Sequence, residues 1–295
     1  MGEFDSLNLH IKDPDIFREA LSHSEAATGF TANLIEKDYY CSVVLQYLFQ
    51  DETSLVFKGG TCLGKVYADF YRLSEDLDFI VPIATNETRS QRRARMAPIK
   101  HLFNALPTEV PGVDISQAFR GHNDSRQYIG YLEYQSAVIE KQETIKIEVG
   151  LREPLLAASV YGMAETILVS NPFTSPPDRY PAIKINAMAM EEAYAEKVRA
   201  ALTRREPAIR DYFDLFRASR EVGLDFSNPN FINMVRDKLK VPGNEPIDIS
   251  SERKQELERQ LDGQLKPVLR PDDFERFNLD EAFDFACEIA KAISI

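Results

Sequence analysis

Residues 55–81 read LVFKGGTCLGKVYADFYRLSEDLDFIV, and this short run decides the fold. Leu55, Val56 and Phe57 form an apolar run stopped by Gly59 and Gly60, which predicts a buried strand entering a tight turn. Leu63, Val66, Tyr67, Phe70 and Tyr71 then recur at i, i+3, i+4, i+7 and i+8, the stripe of a helix lying on a sheet, with Thr61 placed to cap its first turn. A helix beginning at the glycines aims its unpaired N–H groups and positive dipole end at a space where no side chain blocks a phosphate.

The second half of the run, Ser74–Val81, predicts another strand. Side chains alternate faces along it, so Asp76 and Asp78 share one face while Leu77 and Phe79 enter the core. At a rise of about 3.3 Å per residue their Cα atoms stand roughly 6.6 Å apart, near enough for both carboxylates to reach one divalent cation. Ser74 lies two residues before Asp76, where phosphorylation would add about −1.5 to −2 charge beside the pair.

Lys58-Gly59-Gly60-Thr61 followed by Arg72-Leu73-Ser74-Glu75-Asp76-Leu77-Asp78 resembles the AbiEii/AbiGii toxin family of nucleotidyltransferases, a branch of the polymerase-β-like superfamily. Glu36-Lys37-Asp38-Tyr39-Tyr40, the Ile145-Lys146-Ile147-Glu148 strand, Ala195-Glu196-Lys197 and Arg210-Asp211-Tyr212-Phe213-Asp214 follow the family pattern in order, so the resemblance spans residues 30 to 220. It implies an α/β fold: a small mixed sheet carrying the carboxylates and flanked by helices, with a helical C-terminal region. The expected domains are a nucleotidyltransferase core over 1–188 and a helical domain over 189–295 that contributes Lys197 and Asp211 to a cleft between the two.

By the same resemblance, Asp76, Asp78 and Glu148 hold Mg²⁺ or Mn²⁺, with Glu148 standing where Asp is common. Lys58, Gly59, Gly60, Thr61 and Ser74 bind the nucleotide, Lys197 neutralises its triphosphate, and Asp211 supports metal or lysine. The implied reaction transfers a nucleoside monophosphate from an NTP to an acceptor hydroxyl. The acceptor implied is the 3′ end of tRNA or another RNA, the outcome growth arrest or phage defence, and the companion an antitoxin encoded nearby.

The rest of the chain is read from its residues. Glu143–Leu151 predicts a strand with Ile145, Ile147 and Val149 on one face and Lys146 and Glu148 on the other, preceded by a strand over Gln127–Tyr134. Between Leu106 and that strand a polar loop is expected through Pro107, Pro111 and Gly121. Residues 12–50 read as helices, with Lys37 and Asp38 taken as solvated charges of a first turn. Arg89, Arg92, Arg93, Arg95 and Lys100 belong to a helix whose Met96, Ile99, Phe103 and Leu106 are buried, and Arg89, Arg93 and Lys100 share a strip suited to docking RNA.

A strand over Ala182–Asn186 and a helix over Ala189–Leu202 follow. Lys197 falls inside the helix's apolar stripe of Met190, Ala193, Tyr194, Val198 and Ala201, so it must snorkel or meet an anion, while Glu191, Glu192, Glu196 and Arg199 form the opposite face. Asp211 and Asp214 lie off the Ile209, Tyr212, Phe213 and Phe216 stripe of the next helix, with Arg210 as Asp214's expected partner. Further helices are expected over Phe231–Leu239, Glu252–Leu265 and Asp280–Ala292.

At 295 residues the chain is long enough for one large domain or two modest ones. Its net charge of −12 argues against a protein that coats nucleic acid, because that affinity comes from Lys and Arg on phosphates. Cys41, Cys62 and Cys287 are odd in number and lack metal-like spacing, which predicts reduced thiols and no zinc. MGEFDSLNLH carries no basic leader and no run approaches the roughly 18 apolar residues of a membrane span, so a cytoplasmic, non-membrane protein is expected. Two alternatives remain open: a glycosyltransferase using the same Asp-x-Asp, and a non-catalytic nucleotide-binding module.

Overall fold

The computed structural model describes residues 7–84 and 86–294, so MGEFDS at the start of the chain lies outside them. The chain divides into two compact units, one of residues up to Leu155 together with Ser159–Met188, the other of Leu156–Ala158 with Ala189–Ile295.

The first unit begins with three helices, α1 (Leu9–Lys12), α2 (Pro14–Thr28) and α3 (Ala32–Leu48). Asp13 caps α2 by accepting from the Ile16 amide at 3.0 Å, with Pro14 at the first helical position. Next come β1 (Val56–Lys58), α4 (Gly59–Cys62, running on as a π-turn over Leu63–Tyr67), β2 (Asp76–Ile80), α5 (Arg89–Glu109), β3 (Val113–His122), β4 (Gln127–Gln135), β5 (Gln142–Gly150), β6 (Val160–Ala164), β7 (Val169–Asn171), β8 (Asp178–Arg179) and β9 (Ile183–Ala187).

Seven strands form one mixed sheet in the order β3-β4-β5-β2-β1-β9-β6, and β7 pairs with β8 as a separate ribbon. β2 runs antiparallel to β1 and parallel to β5, so it is central. Leu77, Phe79, Phe57, Ile145, Ile147 and Val149 are almost fully buried on one face of these strands, as the alternation predicts. The sheet is mixed and helix-flanked as expected.

Several local expectations are corrected. The helix after the glycines ends at Tyr67 rather than reaching Tyr71, because Asp69 and Phe70 take φ of 44° and 52° and turn the chain back. Phe70 and Tyr71 are buried all the same, so the periodicity reported burial and not helix. Thr61 does not cap that helix; its hydroxyl donates to the Asp76 carbonyl at 2.5 Å. The loop expected after Leu106 is instead one more helical turn, through Pro107 to Glu109, and then the ten-residue strand β3, an edge strand whose pairing with β4 slips twice and whose residues are mostly polar.

The second unit is helical: α6 (Met190–Thr203), α7 (Ile209–Glu221), α8 (Pro229–Leu239), α9 (Ser251–Glu258), α10 (Pro271–Arg276) and α11 (Leu279–Ser294). Asn228 and Ser250 cap α8 and α9 through their side chains. α9 stops at Glu258 and a π-turn over Leu261–Leu265 carries the chain on, in place of one helix to Leu265.

Candidate active site

The sheet register brings the carboxylates together. Asp78 pairs with Lys58 of β1 on one side and with Glu148 of β5 on the other, and Asp76 pairs with Lys146. Lys58, Asp76, Asp78, Lys146 and Glu148 therefore share the face opposite the core. The bond from Thr61 to the Asp76 carbonyl ties the start of α4 to β2.

Gly59 occupies φ +80°, and a Cβ there would come within 2.5 Å of Asp78 Oδ2. Only glycine meets both conditions, the left-handed backbone and the close carboxylate. A Cβ on Gly60 would run into the Arg72 guanidinium, and Arg72 is itself buried. Thr61 is also buried with its hydroxyl committed to Asp76, while Ser74 is half-buried on the approach to β2.

The electrostatics of this face are unbalanced. Burial, and then the neighbouring Glu148 and Asp76 charges, push the Asp78 carboxyl up to about 6, against the pull of Lys58 and Lys146. Glu148 behaves oppositely. Burial pushes it up, but the Lys146 ammonium at 2.8 Å from Oε2 and the Gln127 amide at 2.5 Å from Oε1 outweigh burial and hold it below the usual carboxylate range.

With both Glu148 oxygens so engaged, the three carboxylates are not drawn into a cage; among the described residues no three His, Cys, Asp or Glu side chains are grouped to hold a metal ion. The donor chemistry nonetheless fits a hard dication. Two carboxylates on one strand, one of them starved of solvation and crowded by like charge, present oxygen ligands whose ionised form a cation would stabilise.

The expectation that Lys37 and Asp38 are solvated charges is corrected, and Glu36 beside them shares their surroundings. These charges do not face water: Glu36 and Asp38 are sealed in the interior, and Lys37 is nearly so. Asp38 pairs with Lys65 at 2.7 Å, and Lys65 also donates to Ser42 Oγ at 2.7 Å, so α3 grips the π-turn that follows the glycines. Lys37 reaches Glu75 and Glu143 at 3.4 and 3.5 Å, next to the carboxylate strands. Glu36 accepts from the Ser136 hydroxyl and from the Ala137 amide.

On α5, Arg92 is buried and donates to the Glu87 and Asp124 carbonyls and to the Asp124 carboxylate. Arg89 also faces Asp124, Arg95 pairs with Glu87 at 2.6 Å, and Lys100 lies 4.7 Å from the Tyr128 ring centre. Much of the basic helix is thus answered by its own surroundings.

In the second unit, Lys197 does meet an anion. Its ammonium stands 2.8 Å from both Asp211 Oδ1 and Asp214 Oδ2. Asp211 and Asp214 are therefore buried rather than solvated, and Asp214 takes Lys197 as partner while Arg210 donates to the Gln264 carbonyl. Burial raises the Asp211 carboxyl, yet Lys197 and Arg204 outweigh that and leave it below its ordinary value. Glu192 and Glu196, expected on the open face of α6, are also buried and converge on Lys238, at 2.6 and 3.4 Å.

The model of the nucleotidyl transferase AbiEii toxin, type IV toxin–antitoxin system, matches residues 44–288. The chain belongs to this family. It is similar to the crystal structure of JHP933 from Helicobacter pylori, at 18% identity and a TM-score of 0.51, with 90% of this chain and 95% of that chain covered; the likeness speaks to the fold. A second H. pylori structure, described as a “putative nucleotidyltransferase”, matches at 18% identity and a TM-score of 0.49, covering 94% and 96% of the two chains. No curated protein matches.

Within this AbiEii family member, sequence reasoning passed over Lys146, Gln127 and Arg72 as parts of the site. Lys146 was within reach, since alternation puts it on the face of Glu148, two residues away. Gln127 reaches Glu148 only through the pairing of β4 with β5, which one strand's pattern does not reveal. Among the described residues no helix is long and apolar enough to cross a membrane.

Proposed function

We propose that this AbiEii family protein transfers a nucleoside monophosphate from an NTP to an acceptor hydroxyl on RNA, with the tRNA 3′ end as the preferred acceptor. The observation that supports it best is the Asp78 carboxylate lying against the side-chain-free backbone of Gly59 beside a second carboxylate, Asp76, on the same strand. Gly59 admits the Asp78 carboxylate and Gly60 the Arg72 guanidinium, so an acid and a cation meet at the turn where the family resemblance puts the phosphates, and Asp76 and Asp78 are the residues to hold Mg²⁺ or Mn²⁺. That ion supplies charge neutralisation at the phosphoryl oxygens and orientation of the nucleotide.

In the reaction the acceptor hydroxyl gives up its proton to solvent and its oxygen bonds to the α-phosphorus as the bond to the bridging oxygen breaks, and pyrophosphate leaves. Glu148 is kept ionised by Lys146 and Gln127, which suits a ligand better than a base, since a base works best with a pKa near the operating pH. By family resemblance Lys197 shares in neutralising the triphosphate, with Asp211 holding it. Growth arrest or phage defence in the cytoplasm, countered by a cognate antitoxin, is the biological outcome of this reading.

The test is to incubate purified protein with Mg²⁺, each labelled NTP in turn and total RNA. Label should enter a small RNA from one NTP, and Asp76→Ala should lower the rate by on the order of a hundred- to a thousandfold. Label in protein or sugar acceptors, or an Asp76→Ala variant as active as the parent, overturns the reading.

A further inference from the structure

On β1, β2 and β5 the sheet face holds three carboxylates, Asp76, Asp78 and Glu148, and two ammonium groups, Lys58 and Lys146. Asp78 and Glu148 are direct cross-strand partners, an arrangement in which like charges repel. Lys146 answers that repulsion. Its ammonium lies 2.8 Å from Glu148 Oε2, and beyond that bond the Asp78 and Asp76 charges of the neighbouring strand also favour its charged form. The pair is not sealed: the Lys146 and Glu148 side chains are 30% and 25% exposed, so the lysine can leave without unmaking the core.

We propose that Lys146 is a resident counter-ion of this site, a positioning residue that holds Glu148 while no divalent cation is bound and is exchanged for that cation when one binds. The inference rests on the reading of Asp76 and Asp78 as cation ligands. With Lys146 in place, the five charged groups leave a small negative excess, and with it displaced the excess matches a single divalent ion. The proposal accounts for why Glu148 is turned to Lys146 and Gln127 instead of completing a cage with Asp76 and Asp78. Lys146 and a divalent cation thus compete for one carboxylate.

Competition has a sign that a purely supporting role does not. Titration of the full chain with Mg²⁺ alone, followed by calorimetry and without nucleotide, should show Lys146→Met binding the ion roughly two- to fivefold more tightly than wild type, the range for losing a partly exposed ion pair. Lys146→Arg, which keeps the cation, should bind as wild type does. In the absence of Mg²⁺, Lys146→Met should also melt below wild type and recover on adding the ion. Lys146→Gln, shorter and polar, serves as the second neutral variant should the methionine form fail to fold.

Unchanged or weaker Mg²⁺ affinity in both neutral variants overturns the exchange while leaving the carboxylate reading intact, provided Asp78→Asn abolishes binding. Wild type that binds no Mg²⁺, or Asp78→Asn that binds as well as wild type, overturns the carboxylate reading and the exchange with it.

Discussion

Both units place lysines against carboxylates, but the Lys238 cluster of the helical unit and the Lys146 cluster of the sheet face do so in opposite ways. In the helical unit Lys238 is fully buried with Glu192, and Glu192 also accepts from the Leu156 and Ala157 amides at 3.0 and 2.8 Å. On the sheet face Lys146 and Glu148 stay partly exposed, and Asp78 remains short of positive charge. A sealed and saturated cluster specifies how helices pack. An open, acid-rich one keeps capacity for something else, and this contrast separates scaffold from chemistry better than the mere presence of charge.

The contrast is easiest to break at its buried end. Lys238→Met should destabilise the protein by about 3 to 5 kcal/mol, since it strands two carboxylates in the interior, whereas Lys146→Met should cost under about 1 kcal/mol. Urea unfolding of the two variants checks this, and equal losses would erase the distinction.

A second and somewhat smaller effect concerns pH. The folded protein holds the Asp78 proton more tightly than the unfolded chain does, with the carboxyl raised from 3.8 to about 6. Its contribution to stability is therefore fully present below about pH 4 and lost as the pH rises through about 6. Asp78→Asn should exceed wild type by about 2 to 3 kcal/mol at pH 7.5 without metal, and the gap should close near pH 4. Unfolding at the two pH values measures it.

The smallest effect sharpens the link between the glycine turn and the carboxylate strand. Thr61→Val removes the bond to the Asp76 carbonyl and should cost about 1 kcal/mol. Its Mg²⁺ affinity should fall with it, because the bond fixes the strand that carries both aspartates. Affinity unchanged at lowered stability would make Thr61 a packing residue alone.

How much was legible in the sequence follows from where contrast exists along one element. β2 and β5 alternate cleanly, so their core and polar faces were readable, and the α/β fold and the family followed from the motifs around them. Lys197 stood out as a charge within an apolar stripe, and its need for an anion was readable, but its partners lie on another helix. Periodicity gives a side chain's direction without saying what waits there. α3 shows the limit from the other side: nearly every residue from Leu34 to Leu48 is buried, so no polar face existed to mark Lys37 and Asp38 as internal. β3 escaped because a bulged, polar edge strand lacks both the alternation and the apolar content by which strands are recognised.

Position 59 ties two parts of the site to one backbone conformation. Any side chain there would be strained by the backbone and pressed into Asp78, so this one position couples the path of the turn to the placement of the carboxylate.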